Sequence, residues 1–161
     1  MRLVRRISVF VTAAVIASAM AGPATGAPAA CSGAGWVAPD AATIQVRVAD
    51  GVTFISFAFF GEHPLCLNDG SDVVASAEGR LWQRVGADGS VNLRFVETLS
   101  FGGGTLRYRG NATLNAAGWH SHVRTVGSGT GILSGIHGQG VFSPIDPVTG
   151  AFTDEIFYVY R

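Results

Sequence analysis

Ser90-Val-Asn-Leu-Arg-Phe-Val-Glu-Thr-Leu-Ser-Phe101, Gly102-Gly-Gly104 and Thr105-Leu-Arg-Tyr-Arg-Gly-Asn-Ala-Thr-Leu114 together decide the fold. Val91, Leu93, Phe95, Leu99 and Phe101 fall on one side of a period-two pattern. In the next segment Leu106, Tyr108, Ala112 and Leu114 do the same, with Arg107, Arg109, Asn111 and Thr113 opposite them. Alternation of period two is the signature of a half-buried strand. Three glycines between two such strands make a tight turn, so the stretch reads as an antiparallel hairpin.

The pattern repeats on both sides of this hairpin. Thr43–Val48 alternates through Ile44, Val46 and Val48. Val52–Phe60 is apolar on both faces and predicts the most buried strand. Asp72–Val85 places Val73, Ala75, Ala77, Leu81 and Val85 together. Trp119–Val126, Gly131–Phe142 and Ala151–Tyr160 complete about eight strands. Between them stand Asp50-Gly51, Asn68-Asp69-Gly70, Ala87-Asp88-Gly89 and Asn115-Ala-Ala-Gly118, each supplying residues that tolerate positive φ. A longer turn runs from Pro144 to Gly150. Ser32–Asp40 reads as a loop-like lead-in. The expected class is all-β: a single antiparallel meander closing into a roughly eight-stranded barrel, which removes exposed edges. A two-sheet sandwich is the competing architecture.

The N-terminus predicts the compartment. Arg2, Arg5 and Arg6 precede an apolar run from Ile7 to Ala21, followed by small residues and proline. A basic head, a short apolar middle and an Ala-x-Ala exit describe a signal peptide over residues 1–29. Ala27-Pro28-Ala29 and Ala19-Met20-Ala21 are the two candidate cleavage sites. The run is too short and too quickly broken for a spanning helix, so the expected product is a secreted single domain over 30–161, with no stable membrane span. Cleavage would leave eight arginines against eleven Asp and Glu, a net charge of −3. That balance argues against nucleic acid as a partner. An oxidising compartment makes Cys31–Cys66 a disulfide.

Few residues carry chemistry. Glu97 lies on the apolar side of its strand, where a carboxylate must be paired, hydrogen-bonded or raised in pKa. It is the candidate catalytic acid/base, and with Gln83 and Tyr108 on neighbouring apolar faces it makes the candidate ligand-binding set. The alternative is an ion pair with Arg80 or Arg107 at a barrel mouth. His120-x-His122 offers two imidazoles on one face. A zinc site needs further ligands, which only His137 or Glu62-His63 could add, so the expectation is no metal. Asp146, Asp154 and Glu155 do not make a glycosidase pair, because Asp154 and Glu155 face opposite ways. No Gly-x-Ser-x-Gly elbow is present. The glycines of residues 127–140 lack a following helix and so form no dinucleotide site. No cofactor is expected.

Gly127-Ser-Gly-Thr-Gly-Ile-Leu-Ser-Gly-Ile-His-Gly-Gln-Gly-Val-Phe142, followed by Phe152-Thr-Asp-Glu-Ile-Phe-Tyr158, resembles the last strands of allene-oxide-cyclase-like and dirigent-like barrels. Gly79-Arg-Leu-Trp-Gln-Arg-Val-Gly-Ala-Asp-Gly-Ser-Val-Asn-Leu-Arg94 is similar to a hairpin in secreted actinobacterial proteins. The first resemblance covers about the last third of the chain. It implies a closed eight-stranded barrel with an apolar lumen, and activities from lipid cyclisation to control of radical coupling. No family catalytic motif transfers residue by residue. Three functions follow as expectations: a binder of a small apolar or amphipathic ligand, an isomerase or cyclase using a lumen Glu, and a solid-core interaction protein.

Overall fold

A computed structural model describes residues 29–67, 71–127 and 129–159. The expected signal segment, up to residue 28, and the turn at Asn68–Gly70 lie outside the described residues. Nine strands follow in order: β1 Ala29–Pro39, β2 Gln45–Ala49, β3 Val52–Cys66, β4 Asp72–Val85, β5 Val91–Phe101, β6 Gly104–Asn115, β7 Gly118–Thr125, β8 His137–Phe142 and β9 Ala151–Val159. All pairings are antiparallel, in the order β1-β9-β8-β7-β6-β5-β4-β3-β2. An added β1–β3 ladder closes eight of these strands into a barrel.

The sequence expectation is corrected at the seam. Ser32–Asp40 is not a lead-in loop: most of it is strand β1, the eighth stave of the barrel. The alternating segment around Val46 lies outside the ring, as β2 on the edge of β3. The reason is that β1 spends its two edges in turn. Ala29–Trp36 pairs with β9, and Trp36–Pro39 pairs with Phe59–Glu62 of β3. Glycine and alanine dominate that stretch, so no apolar alternation marks it. Gly33 and Gly35 sit where side chains of Pro64 and Phe152 fill the space a Cβ would need. A short 3-10 turn, Ala41–Thr43, then bends the chain away; Asp40 caps it by accepting from the Ala42 amide.

Two other expectations change. Val52–Phe60 is not the most buried segment: residues 52–58 are half-buried, because β2 covers their free edge and not their faces. Burial deepens further along β3, at Phe59, Gly61, His63 and Leu65. Gly131–Phe142 is not one strand. A 3-10 turn, Gly131–Leu133, precedes β8, and Leu133 and Ile136 are fully buried. This segment bonds across the β5–β6 turn, with Ile132 N donating to Gly103 O and Thr130 N to Thr105 O. It covers one end of the barrel. The Ser143–Gly150 loop, which joins β8 to β9, lies at the opposite end in this up-and-down topology.

The β7–β8 ladder pairs Val123↔Gly140 and Arg124↔Gln139, and on either side of these pairs side-chain hydroxyls take over the bonding. Ser121 Oγ accepts from Phe142 N and donates to Phe142 O, and Thr125 Oγ1 accepts from Gly138 N. Inside the barrel, small residues face large ones. The Phe59 ring occupies the space above Gly79, and the Phe95 ring that above Gly110. Edge-on contacts then run Phe59–Phe95–Phe142–Trp119 across the lumen, with centroids 5.4–6.4 Å apart.

Candidate functional site

The barrel is not packed solid. A cavity of about 260 Å³ remains in the lumen. Phe57, Phe59, Leu81, Phe95, Val123 and Phe142 make its apolar walls. Its rim is the Ile145–Gly150 loop with Val37–Pro39. Hydrogen bonds fix that rim. Asp146 Oδ1 accepts from the Val148 and Thr149 amides, and Val37 N donates to Gly150 O. The first pair holds the Asp146 carboxyl below the usual carboxylate range, mainly through the Thr149 amide. Gly150 has φ 73°, and a Cβ there would run into the Val37 carbonyl, so this rim position requires glycine.

Three ionisable side chains reach the cavity from different strands: Glu97 from β5, His63 from β3 and Asp154 from β9. Each is buried. His63 Nε2 lies 2.9 Å from Asp154 Oδ2, and its Nδ1 lies 2.9 Å from the Pro64 carbonyl. Both ring nitrogens therefore face acceptors, and Nδ1 must carry a proton. Burial alone would lower the pKa of His63. The hydrogen bond to Asp154, the charges of Glu97 and Asp154, and the Pro64 carbonyl outweigh it and hold the pKa above its ordinary value. Asp154 Oδ2 is placed to accept a proton from Nε2 whenever the ring carries one there. The other carboxylate oxygen, Asp154 Oδ1, is buried with no partner among the described residues.

Glu97 has no hydrogen bond to another described residue. Burial pushes its carboxyl up to about 7; His63 pulls the other way, and Asp154 adds to the rise. Beneath this group, Tyr108 and Tyr158 join their hydroxyls in a hydrogen bond, and the His63 ring packs against Tyr108 and Phe152 at 5.7 and 5.3 Å. Burial, and then Tyr158, raise the Tyr108 phenol well above its ordinary pKa, so it stays a neutral donor and acceptor. The set can offer a hydrogen-bond acceptor at Asp154, a proton at His63 and a carboxyl at Glu97 that changes state near neutrality.

Of the residues predicted from sequence, Glu97 faces the cavity and Tyr108 sits directly across the ladder from it. Gln83 is half-buried nearer the far end of its strand, opposite Ile55 and Leu93, and does not line the cavity. Arg80 and Arg107 are exposed on the outer face and do not meet Glu97. His120 and His122 are exposed on the outside of β7. Cys31 and Cys66 form a disulfide, with Cα atoms 5.7 Å apart. His63 and Asp154 were missed. Both carry the signal that found Glu97, a polar group on an apolar side: Phe57, Phe59, His63 and Leu65 share one parity, and Phe152, Asp154, Ile156 and Tyr158 another. The Gly61-Glu-His-Pro64 sequence hides the first by resembling a turn.

Fold and lumen define the class: a closed, eight-stranded antiparallel β-barrel with a polar cluster inside an apolar cavity. The chain is similar in structure to a protein of unknown function from the DUF3224 family of Shewanella oneidensis MR-1. The match has a TM-score of 0.65 at 19% identity and covers 84% of this chain and 98% of that one. At that identity the likeness shows the fold alone. No family model and no curated protein matches the sequence. Among the described residues, no helix is long and apolar enough to cross a membrane.

Proposed function

We propose that this is a secreted barrel whose lumen binds one small, mainly apolar molecule that donates a hydrogen bond from its head. The observation that carries this reading is Asp154 Oδ1: a buried acceptor, without a partner among the described residues, on a side chain that lines an apolar cavity. Leaving such a group unmade costs about 1–3 kcal/mol, and a ligand hydroxyl or amine recovers it. The cavity suits a molecule of about ten non-hydrogen atoms, scaling from benzene in a cavity of about 150 Å³. The aromatic walls supply affinity, and the Ile145–Gly150 rim controls entry. A disulfide and a leader of the signal-peptide type support export.

The test is calorimetry with 1-octanol and octanoate. Octanol is expected to bind one-to-one with Kd below about 1 mM, in line with about 0.5 kcal/mol per heavy atom. Octanoate is expected to bind at least about tenfold more weakly at pH 8, since its charge meets Asp154 and Glu97. Leu81→Trp or Val123→Phe, which fill the cavity, should abolish octanol binding. Unchanged binding in these folded variants, or none in the wild type, would contradict the proposal.

One observation favours a second reading. Glu97 titrates near neutrality inside an apolar cavity, as a general acid/base does. With the resemblance to allene-oxide-cyclase-like barrels, this supports proton-transfer isomerisation or cyclisation of an unsaturated lipid. On a library of such lipids, Glu97→Gln would keep binding and lose conversion. Absence of conversion by the wild type leaves the binder.

A further inference from the structure

The outer wall carries a second feature, independent of the lumen. Seven arginines lie exposed on the outer wall: Arg47 on β2, Arg80 and Arg84 on β4, Arg94 on β5, Arg107 and Arg109 on β6, and Arg124 on β7. Five of them, Arg47, Arg84, Arg94, Arg109 and Arg124, line one groove across β2–β7, and among the described residues no Asp or Glu lines it. Among the described residues none of the five has a carboxylate partner within salt-bridge distance. The negative net charge of the mature chain therefore hides a segregated surface: acids elsewhere, arginines here.

Two details indicate that the arrangement is built for an anion. Arg109 and Arg124 stand directly opposite each other in the β6–β7 ladder. Like charges so placed destabilise a sheet, and among the described residues no acid pairs with either. Arg47 lies over the Phe54 ring at 4.5 Å, and Arg80 near the Trp82 ring at 6.0 Å. Stacking holds these guanidinium groups in place before any ligand arrives. From β4 to β7 the charges span about 15 Å at ordinary strand spacing.

We infer that this groove binds an acidic polysaccharide, with the arginines on its sulfate, phosphate or carboxylate groups. A recessed groove takes an extended chain better than a flat bilayer. The aromatic faces already carry arginines, which disfavours a nucleic acid that needs bare rings for its bases. Asn92, Asn111, Ser56 and Thr113 line the spaces between the charges and suit sugar hydroxyls.

The experiment measures binding of the full disulfide-bonded protein to a fluorescent heparin oligosaccharide. The comparison arms are neutral dextran, a single-stranded oligonucleotide of equal charge and phosphatidylglycerol vesicles. Heparin is expected to bind, and to weaken at least about tenfold between 50 and 200 mM salt, as contacts made by several cations do. Arg94→Gln with Arg109→Gln should weaken it about tenfold or more. Arg107→Gln, outside the groove, should change it less than about twofold. Arg84→Gln with Arg124→Gln serves as a second pair should the first melt early. Equal loss in the Arg107 control, no loss in either pair, or tighter binding of the oligonucleotide or vesicles would overturn the inference. Octanol binding is unaffected in every arm, which separates this site from the lumen.

Discussion

Glu97→Gln flattens the stability of the barrel between pH 5 and pH 8. In the wild type, burial raises the Glu97 carboxyl from 4.5 to about 7. Between those values the folded state holds a proton that the unfolded chain has released, so stability falls as pH rises. The fall is complete just above pH 7 and amounts to about 3 kcal/mol. That corresponds to roughly 10 °C in Tm for a domain of this size. His63 acts with the same sign. Its raised pKa gives stability that is full below the unfolded value and is lost as pH passes the folded one. The wild type is thus expected to melt highest near pH 5 and to lose ground toward pH 8. The variant, with no carboxyl to ionise at this position, should keep the alkaline slope due to His63 and lose the part due to Glu97. Thermal melts of both proteins across the range check this. Parallel profiles would show that Glu97 is not buried as an acid.

Loss of the disulfide has the other large effect. Cys31→Ser with Cys66→Ser is expected to cost about 4 kcal/mol, from a bridge between residues 35 apart in sequence. Its position gives that figure a structural meaning. The β1–β3 ladder that shuts the barrel has only four residue pairs, from Trp36↔Glu62 to Pro39↔Phe59. Beyond Trp36, β1 gives its hydrogen bonds to β9, and Cys31–Cys66 is the covalent tie between β1 and β3. Removing it should therefore open the seam before the rest. Hydrogen exchange would rise first along β1 and the end of β3, while the β4–β5–β6 ladders stay protected. A Tm lowered by less than about 3 °C, or uniform exchange, would contradict this.

Much of the architecture was legible because it follows from a two-residue period. The β4, β5 and β6 boundaries agree with the alternation to within one residue, and the inward set through Leu93, Phe95, Leu99 and Leu106 forms the core. The β1 strand was not legible. Its role depends on backbone bonding to two neighbours, and Ala, Ser and Gly leave no side-chain pattern to read. The Gly127–Gly140 segment misled differently. Its apolar residues, Leu133 and Ile136, are buried by a turn that covers the barrel end and not by a strand. Within the site, Glu97 stood out because one acid interrupts a clean apolar face. Its neighbours His63 and Asp154 are brought to it by closure across β3, β5 and β9, a contact between segments far apart in sequence. The arginine groove was hidden by summing charge over the chain, since a net value says nothing about which face holds it.

The proposed ligand sits in the lumen with its head at Asp154 and its tail among the aromatic walls. Methyl-resolved NMR of the protein titrated with 1-octanol tests this most directly. Saturable shifts are expected at Leu81, Val123 and Ile145, which line the cavity, with Val46 and Val74 on the exterior unmoved. Shifts confined to the exterior methyls, or none at all at millimolar octanol, would contradict it.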